Sequence, residues 1–349
     1  MTPFEPGGPA DRAAAIELLV RARGLLIPAL REWTCRLPSA IAPLADYHFG
    51  WRDEHGHPAT HGPAGKSARP ALAFTCAEAV GGTAEQALAA AVAVELTHNS
   101  CLIHDDVIDQ DRLRHHRPTV WAAFGVASAV LLGDALLALA HQVVAEPGDG
   151  LAARSSAVLA EAVLEMAQGE ADDVAFERRG SVTVAEYRAM AEAKTGAGLG
   201  VACYLGALAG GAEHDRARRL EQFGRAMGVA GQITDDLLGI FGETTRTGKP
   251  VGADIAARKK SYPVLAALAD GSAAGRRLAE LYAQRTPLDP AQVQKATALV
   301  DEAGGRLAAA RAARAELEAA LDALSAGRPG PSAKRQLAAL AHLAVHRDA

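Results

Sequence analysis

From Arg69 onward the chain is a nearly unbroken series of Ala- and Leu-rich segments with helical spacing, and no run alternates with period two for long enough to form a sheet. Hydrophobic residues make up 49% of the 349 residues and aromatic ones only 4%. That balance favours helix, because strands draw on β-branched and aromatic side chains. Gly and Pro break the pattern at Gly81-Gly82, Pro118, Pro147-Gly148-Asp149-Gly150, Gly210-Gly211, Pro250, Pro263 and Arg328-Pro329-Gly330-Pro331. The breaks predict helices near 13–36, 69–80, 84–106, 118–145, 151–178, 183–209, 214–240, 261–270, 275–284, 290–323 and 331–346, hence an all-α fold. Residues 1–12, rich in Pro and Gly, are expected to be a disordered tail, and 13–349 a single domain whose longest interior loop is 241–260.

Against that apolar background two acidic clusters stand out, Asp105-Asp106-Val-Ile-Asp109 and Asp235-Asp236-Leu-Leu-Gly239. Asp105 and Asp109 are four apart and share one helix face, where two carboxylates repel unless a cation lies between them. Taken alone, each cluster could equally be a solvated helix end, the first balanced by Arg112 and Arg114. A pair of clusters that must face one another calls for a multivalent ion. Carboxylate oxygens suit Mg²⁺, which leaves its other positions to water and phosphate.

Basic residues come in two sets as well. Gly65-Lys66-Ser-Ala-Arg69-Pro70 puts two cations at a helix start, where backbone donors and the helix dipole both favour an anion. Thr247-Gly-Lys249-Pro-Val-Gly-Ala-Asp254, followed by Arg258-Lys259-Lys260, reads as a loop whose lysines can reach an anion held by metal. Two acidic and two basic sets are what two diphosphates and their metals require.

Other classes of function find little support. The formal charge of −5, from 36 basic and 41 acidic residues, provides no polycation for nucleic acid. The four cysteines, Cys35, Cys76, Cys101 and Cys203, are scattered, which fits a reduced, cytoplasmic chain without a disulfide framework or zinc site. His55, His57 and His61 lie in a polar Gly/Pro loop without ligand spacing and are expected to be solvated. The first twelve residues lack a secretory pattern. Residues 121–145 are the most membrane-like, but Asp134 near their middle argues for a central helix surrounded by other helices and against a transmembrane span.

With these motifs in view, the chain resembles the trans-isoprenyl diphosphate synthases, the head-to-tail prenyltransferases of the isoprenoid synthase fold, a large helical bundle around a central cavity. The resemblance runs from about Gly65 to Val264. It rests on GKxxRP at 65–70, His98 six residues before His104, LIHDDVID at 102–109, LRxxRPTV from Leu113, GDALLALA from Gly133, KTG at 194–196, Gln232 before DDLL, and GKPVGxD…KK at 248–260. It implies that Asp105, Asp109 and Asp235 ligate three Mg²⁺, with Asp106 and Asp236 as supporting acids. It also implies that Arg114, Lys194, Lys249 and Lys259 hold an allylic diphosphate (dimethylallyl, geranyl or farnesyl). Lys66, Arg69 and His98, with His115, would hold isopentenyl diphosphate, and Thr195 and Gln232 would stand near the forming bond. Product length would follow from the bulk just before the first cluster. Ser100 and Cys101 are small there, which points to geranylgeranyl diphosphate or a longer chain. A homodimer is implied, with its contact within residues 84–145.

The departures from the family pattern are Gly239 for a third Asp, His115 for Arg, Glu170 for Gln and Gly231 for Phe. His115 cannot form a guanidinium fork. These changes keep two other readings open: cyclisation or hydrolysis of one allylic diphosphate without condensation, and a regulatory subunit of a heteromeric synthase.

Overall fold

The structure, a computed structural model, describes residues 8–59, 67–146, 150–242, 252–284 and 286–345. It is all-α, and the only strands among the described residues are β1 (Leu113–Arg114) and β2 (Arg117–Pro118), which pair as a small antiparallel hairpin. The helices are α1 (Pro9–Thr34), α2 (Ala42–His48), α3 (Ala68–Val80), α4 (Leu88–Ile108), α5 (Val120–Phe124), α6 (Val126–Ala145), α7 (Gly150–Arg178), α8 (Val184–Ala191) and α9 (Ala197–Ala209). They continue with α10 (His214–Phe241), α11 (Ala253–Ala256), α12 (Tyr262–Ala269), α13 (Ala273–Tyr282), α14 (Pro290–Glu302), α15 (Gly305–Ala326) and α16 (Pro331–Val345).

Several expected segments are divided, each for a local reason. The segment 118–145 breaks at Gly125 (φ 88°) and 290–323 at Gly304 (φ 76°), left-handed conformations that a glycine adopts freely. The segment 183–209 is interrupted by a π-helical turn, Glu192–Gly196, between α8 and α9. Helix α1 begins at Pro9, so residues expected in the disordered tail are helical, with Asp11 in the first turn accepting from Gly8 N at 3.2 Å. Helix α2 and the hairpin were not expected from the sequence.

Among the described helices, α9 is the one surrounded on all sides. Every residue from Ala197 to Leu208 is buried, as expected for a helix apolar around its whole circumference. Small residues let its neighbours close in. A Cβ added at Gly206 would overlap the Ala73 carbonyl of α3 and lie 2.6 Å from Ala73 Cα. The principal core runs from Ala15 of α1 to Ala344 of α16, so both ends of the described chain share it. The expectation for residues 121–145 needs correction. Helix α6 buries one stripe, Ala129, Leu132, Leu136, Leu139, Ala140 and Val143, while Val126, Val130 and Leu131 on it are 50%, 40% and 56% exposed. It is the one described helix long and apolar enough to cross a membrane.

Candidate active site

Helix α4 ends on the first acidic cluster, and its two adjacent aspartates have separate surroundings. Asp106 is 3% exposed, and its Oδ1 accepts from Arg114 Nε at 2.8 Å and Nη2 at 2.7 Å. The hairpin makes this possible: His115 and His116 both take positive φ (51° and 61°), a two-residue turn that folds Arg114 back toward the helix. Arg112 has a different partner, with its guanidinium 5.3 Å from the Trp121 ring centre. Asp105 is half-buried. Burial and the negative charges of Glu170 and Asp109 push its pKa up to about 7, against the pull of Lys194. Asp109 caps the C-terminus of α4 and is exposed.

The π turn places Lys194 and Thr195. An extra residue per turn re-aims side chains, which is one reason such turns recur at functional sites. Lys194 Nζ lies 2.7 Å from Glu170 Oε2 and 2.6 Å from Asp173 Oδ2 on α7. Burial works against its charge, but those two carboxylates prevail and raise its pKa. Helix α7 comes this near because Gly169 faces the π turn: a Cβ there would overlap Lys194 N and lie 2.7 Å from Lys194 Cα.

Helix α10 carries the second cluster. Asp235 is exposed, whereas Asp236 is 1% exposed and enclosed by donors. Its Oδ2 accepts from Tyr187 Oη at 2.6 Å and Tyr262 N at 3.0 Å, its Oδ1 from Gln232 Nε2 at 3.3 Å, and Lys259 Nζ stands 3.9 Å away. Gln232 Oε1 in turn accepts from Thr195 Oγ1 at 2.8 Å. The two residues expected beside the forming bond therefore touch each other. Burial, then Asp236, raise the Tyr187 pKa well above its ordinary value, so it remains a donor. Burial lowers the Lys259 pKa, but Asp236, Asp173 and Asp254 outweigh it and keep the ammonium charged.

Asp106 and Asp235 line one cavity of about 420 Å³, and Arg69, His98, Arg114 and His115 line it too. Burial, then Arg69 and Arg114, depress the His98 pKa. Also in the wall are His48 from α2 and Asn99 from α4, which belong to no motif. Asn99 Nδ2 donates to Glu95 O at 2.8 Å, so its Oδ1 is the acceptor for His48 Nε2 at 2.8 Å. Burial pushes the His48 pKa down to about 4. These partners are 51 residues apart in sequence, with no motif to link them. Lys66 and Lys249 lie outside the described residues.

Ser100 is 3% exposed and Cys101 half-buried on α4, one turn before the acids. Burial, then the Asp105 charge, push the Cys101 thiol up to about 11. Gly231 on α10 is buried, yet a Cβ added there would meet nothing within 4 Å.

A family model for polyprenyl synthetase matches residues 57–300, which takes in both clusters, the hairpin and the π turn. The chain belongs to the polyprenyl synthetase family. Among its relatives are the (2E,6E)-farnesyl diphosphate synthase of Mycobacterium tuberculosis, 41% identical over 99% of this chain and 97% of that one, and the geranylgeranyl diphosphate synthase of the same organism, 41% identical over 97% and 95%. Among solved structures, this polyprenyl synthetase superposes on one from Streptomyces coelicolor with a TM-score of 0.90, at 42% identity over 94% of this chain and 99% of that one. It also superposes on a polyprenyl synthase from Caulobacter crescentus, complexed with calcium and isoprenyl diphosphate, with a TM-score of 0.85 at 26% identity over 99% and 100%. Equal identity to a farnesyl and a geranylgeranyl synthase means that likeness alone does not set the product length of this polyprenyl synthetase.

Proposed function

We propose that this polyprenyl synthetase makes geranylgeranyl diphosphate or a longer chain, joining isopentenyl diphosphate head to tail to an allylic diphosphate with Mg²⁺ as its metal. The observation that carries the reading is one cavity in which acids from both clusters, Asp106 and Asp235, meet the cations Arg69 and Arg114.

The donor set suits a hard dication. Asp105 is crowded by like charge that a bound dication would neutralise. Mg²⁺ takes few protein carboxylates and completes its shell with phosphate oxygens and water. The Caulobacter relative, complexed with calcium and isoprenyl diphosphate, supports a dication here. Asp105, Asp109 and Asp235 would hold three ions, with Asp106 and Asp236 as supporting acids. Bound metal would supply charge that stabilises the departing diphosphate.

The protein's residues do the rest. Lys194 and Lys259, with Arg114 and Lys249, hold the allylic diphosphate. Arg69 and His98, with Lys66 and His115, hold isopentenyl diphosphate. The allylic C–O bond breaks with its electron pair on diphosphate, the isopentenyl double bond forms the new C–C bond, and the resulting cation loses a proton to the departed diphosphate. The cavity must exclude water, so that the double bond captures the cation first. Small Ser100 and Cys101 leave depth beyond a farnesyl chain. The exposed stripe Val126, Val130 and Leu131 on α6, with Leu164 of α7 at 72% exposure, fits a contact with a second copy.

Buried, open-sided Gly231 favours a second reading, in which one allylic diphosphate is cyclised or hydrolysed. Incubation with Mg²⁺ and farnesyl diphosphate, with and without isopentenyl diphosphate, separates the two by mass spectrometry. A longer diphosphate formed only when isopentenyl diphosphate is present supports condensation. A hydrocarbon or alcohol formed without isopentenyl diphosphate supports the other reading, and silence in both tubes defeats both and points to a regulatory subunit.

A further inference from the structure

Helix α2 contributes to the cavity from outside the stretch that the family match covers. It ends at His48, ahead of residue 57 where that match begins, yet Tyr47, His48 and Phe49 line the cavity together with Arg69 and His98. A helix of seven residues does not hold itself in water, so packing must fix it. Tyr47 is 3% exposed and Phe49 7%. The Phe49 ring stacks on Trp51 at 5.0 Å, and the Tyr47 ring meets Phe124 edge-on at 4.9 Å.

Polar links run from α2 to the two neighbouring walls. Toward the hairpin, Tyr47 Oη donates to Pro118 O at 2.7 Å, and Arg117 Nη2 donates to Tyr47 O at 3.1 Å and to Arg52 O at 3.3 Å. Toward α4 the link is His48 Nε2 to Asn99 Oδ1 at 2.8 Å. Asn99 follows His98 and bonds back to Glu95 O, so its amide ties the imidazole to the stretch of α4 that carries His98. Because the Asn99 nitrogen is committed to Glu95, His48 Nε2 must carry the hydrogen. Burial, against the Asn99 bond, and then the charges of Arg114, Arg117 and His115 hold the ring neutral. A neutral imidazole whose N–H is spent on Asn99 offers an anion no charge. What it offers is position.

We propose that His48 is a positioning residue for isopentenyl diphosphate: through Asn99 it fixes the His98 stretch of α4, and with it the width of the cavity on the side that takes the second substrate. The bonds of His48 and Asn99 go to one another and to Glu95 O, not to either acidic cluster, so the allylic diphosphate and its metals do not depend on this strut. The inference rests on the condensation reading above, and its test separates the two.

Isopentenyl diphosphate is titrated calorimetrically into the full-length protein saturated with Mg²⁺ and farnesyl thiolodiphosphate, an allylic analogue that resists ionisation, so that binding is read without turnover. His48→Ala raises the Kd for isopentenyl diphosphate about 10-fold, the effect of losing one buried hydrogen bond and leaving its acceptor unpaired. The Kd of the farnesyl analogue, titrated separately, stays at the wild-type value. His48→Gln, whose amide can donate to Asn99 Oδ1, recovers most of the loss. Asn99→Ala matches His48→Ala, and the double variant is no worse than either. If His48→Ala does not fold, Asn99→Ala carries the same test from the other side of the bond. A wild-type Kd in both alanine variants, or equal weakening of both ligands, assigns the strut to stability alone and overturns the inference. No recovery in His48→Gln, or additive losses in the double variant, shows that the bond does not position the wall and overturns it as well. Wild-type protein that fails to bind isopentenyl diphosphate removes the condensation reading, and the inference with it.

Discussion

The two acidic clusters use one arrangement with different partners. In each, the second aspartate of the pair is buried and tied down, Asp106 at 3% exposure and Asp236 at 1%, while the first, Asp105 or Asp235, is the more open. Neighbouring residues on a helix point about 100° apart, so one can be tied down by donors while the other stays open. The anchors differ in kind. Asp106 is held by a cation from a hairpin, whereas Asp236 is held by a phenol, a main-chain amide and a carboxamide, with Lys259 farther off. The first cluster is also crowded by Glu170. The lesson is a division of labour: the first cluster crowds like charges around Asp105 and ties Asp106 to a cation, and the second carries a hydrogen-bonded frame.

That contrast can be broken by experiment. The largest effect is expected from Asp105→Ala, which should lower kcat by about 100-fold or more if leaving-group charge is stabilised there; near-normal turnover would remove the first cluster from the chemistry. Next is the frame. Asp236→Ala leaves the Tyr187 hydroxyl and Tyr262 amide without an acceptor and should cost roughly 3 kcal/mol of stability in urea melts, whereas exposed Asp235→Ala should stay within about 0.5 kcal/mol for the metal-free protein. Equal losses would erase the distinction.

Titration sharpens it further. The folded pKa of Asp105, near 7, lies above the ordinary carboxylate value of 3.8. The folded state therefore binds more protons between those values, and stability falls as pH rises through that window. Melting of the metal-free protein from pH 4 to pH 7 should show this fall, and Asp105→Asn should flatten it. An unchanged slope would mean that Asp105 is not the crowded acid. The smallest effect belongs to Tyr187→Phe, which removes one of several donors to Asp236 and should cost about 1–2 kcal/mol with little change in kcat. A large loss of kcat would give Tyr187 a part in the reaction.

The acids, the KTG segment and most helices were legible because helical spacing and Gly/Pro punctuation are local signals. What lay hidden was set by tertiary packing. Gly125 and Gly304 split helices only because the bundle needs a turn at those points, while Gly169 and Gly206 stay inside helices to admit a neighbour. Nothing in Glu192–Gly196 as a string announces a π turn. His48 joins the cavity through Asn99, and Asp254 covers Gly239 from a separate helix; neither pairing has a period or motif to betray it. Among the described residues α9 is the fully enclosed helix, whereas residues 121–145 read as one because apolar composition does not distinguish a buried helix from a half-exposed one.

The hydrogen-bonded string from Asp236 to Thr195 has a polarity. The carboxylate can only accept, so the Gln232 amide must offer it nitrogen and turn oxygen toward Thr195, whose hydroxyl is thereby obliged to donate. With its proton committed, the threonine oxygen has only lone pairs left to show. Asp236, two hydrogen bonds away, thus decides that Thr195 presents an electron-rich oxygen and no free hydroxyl hydrogen.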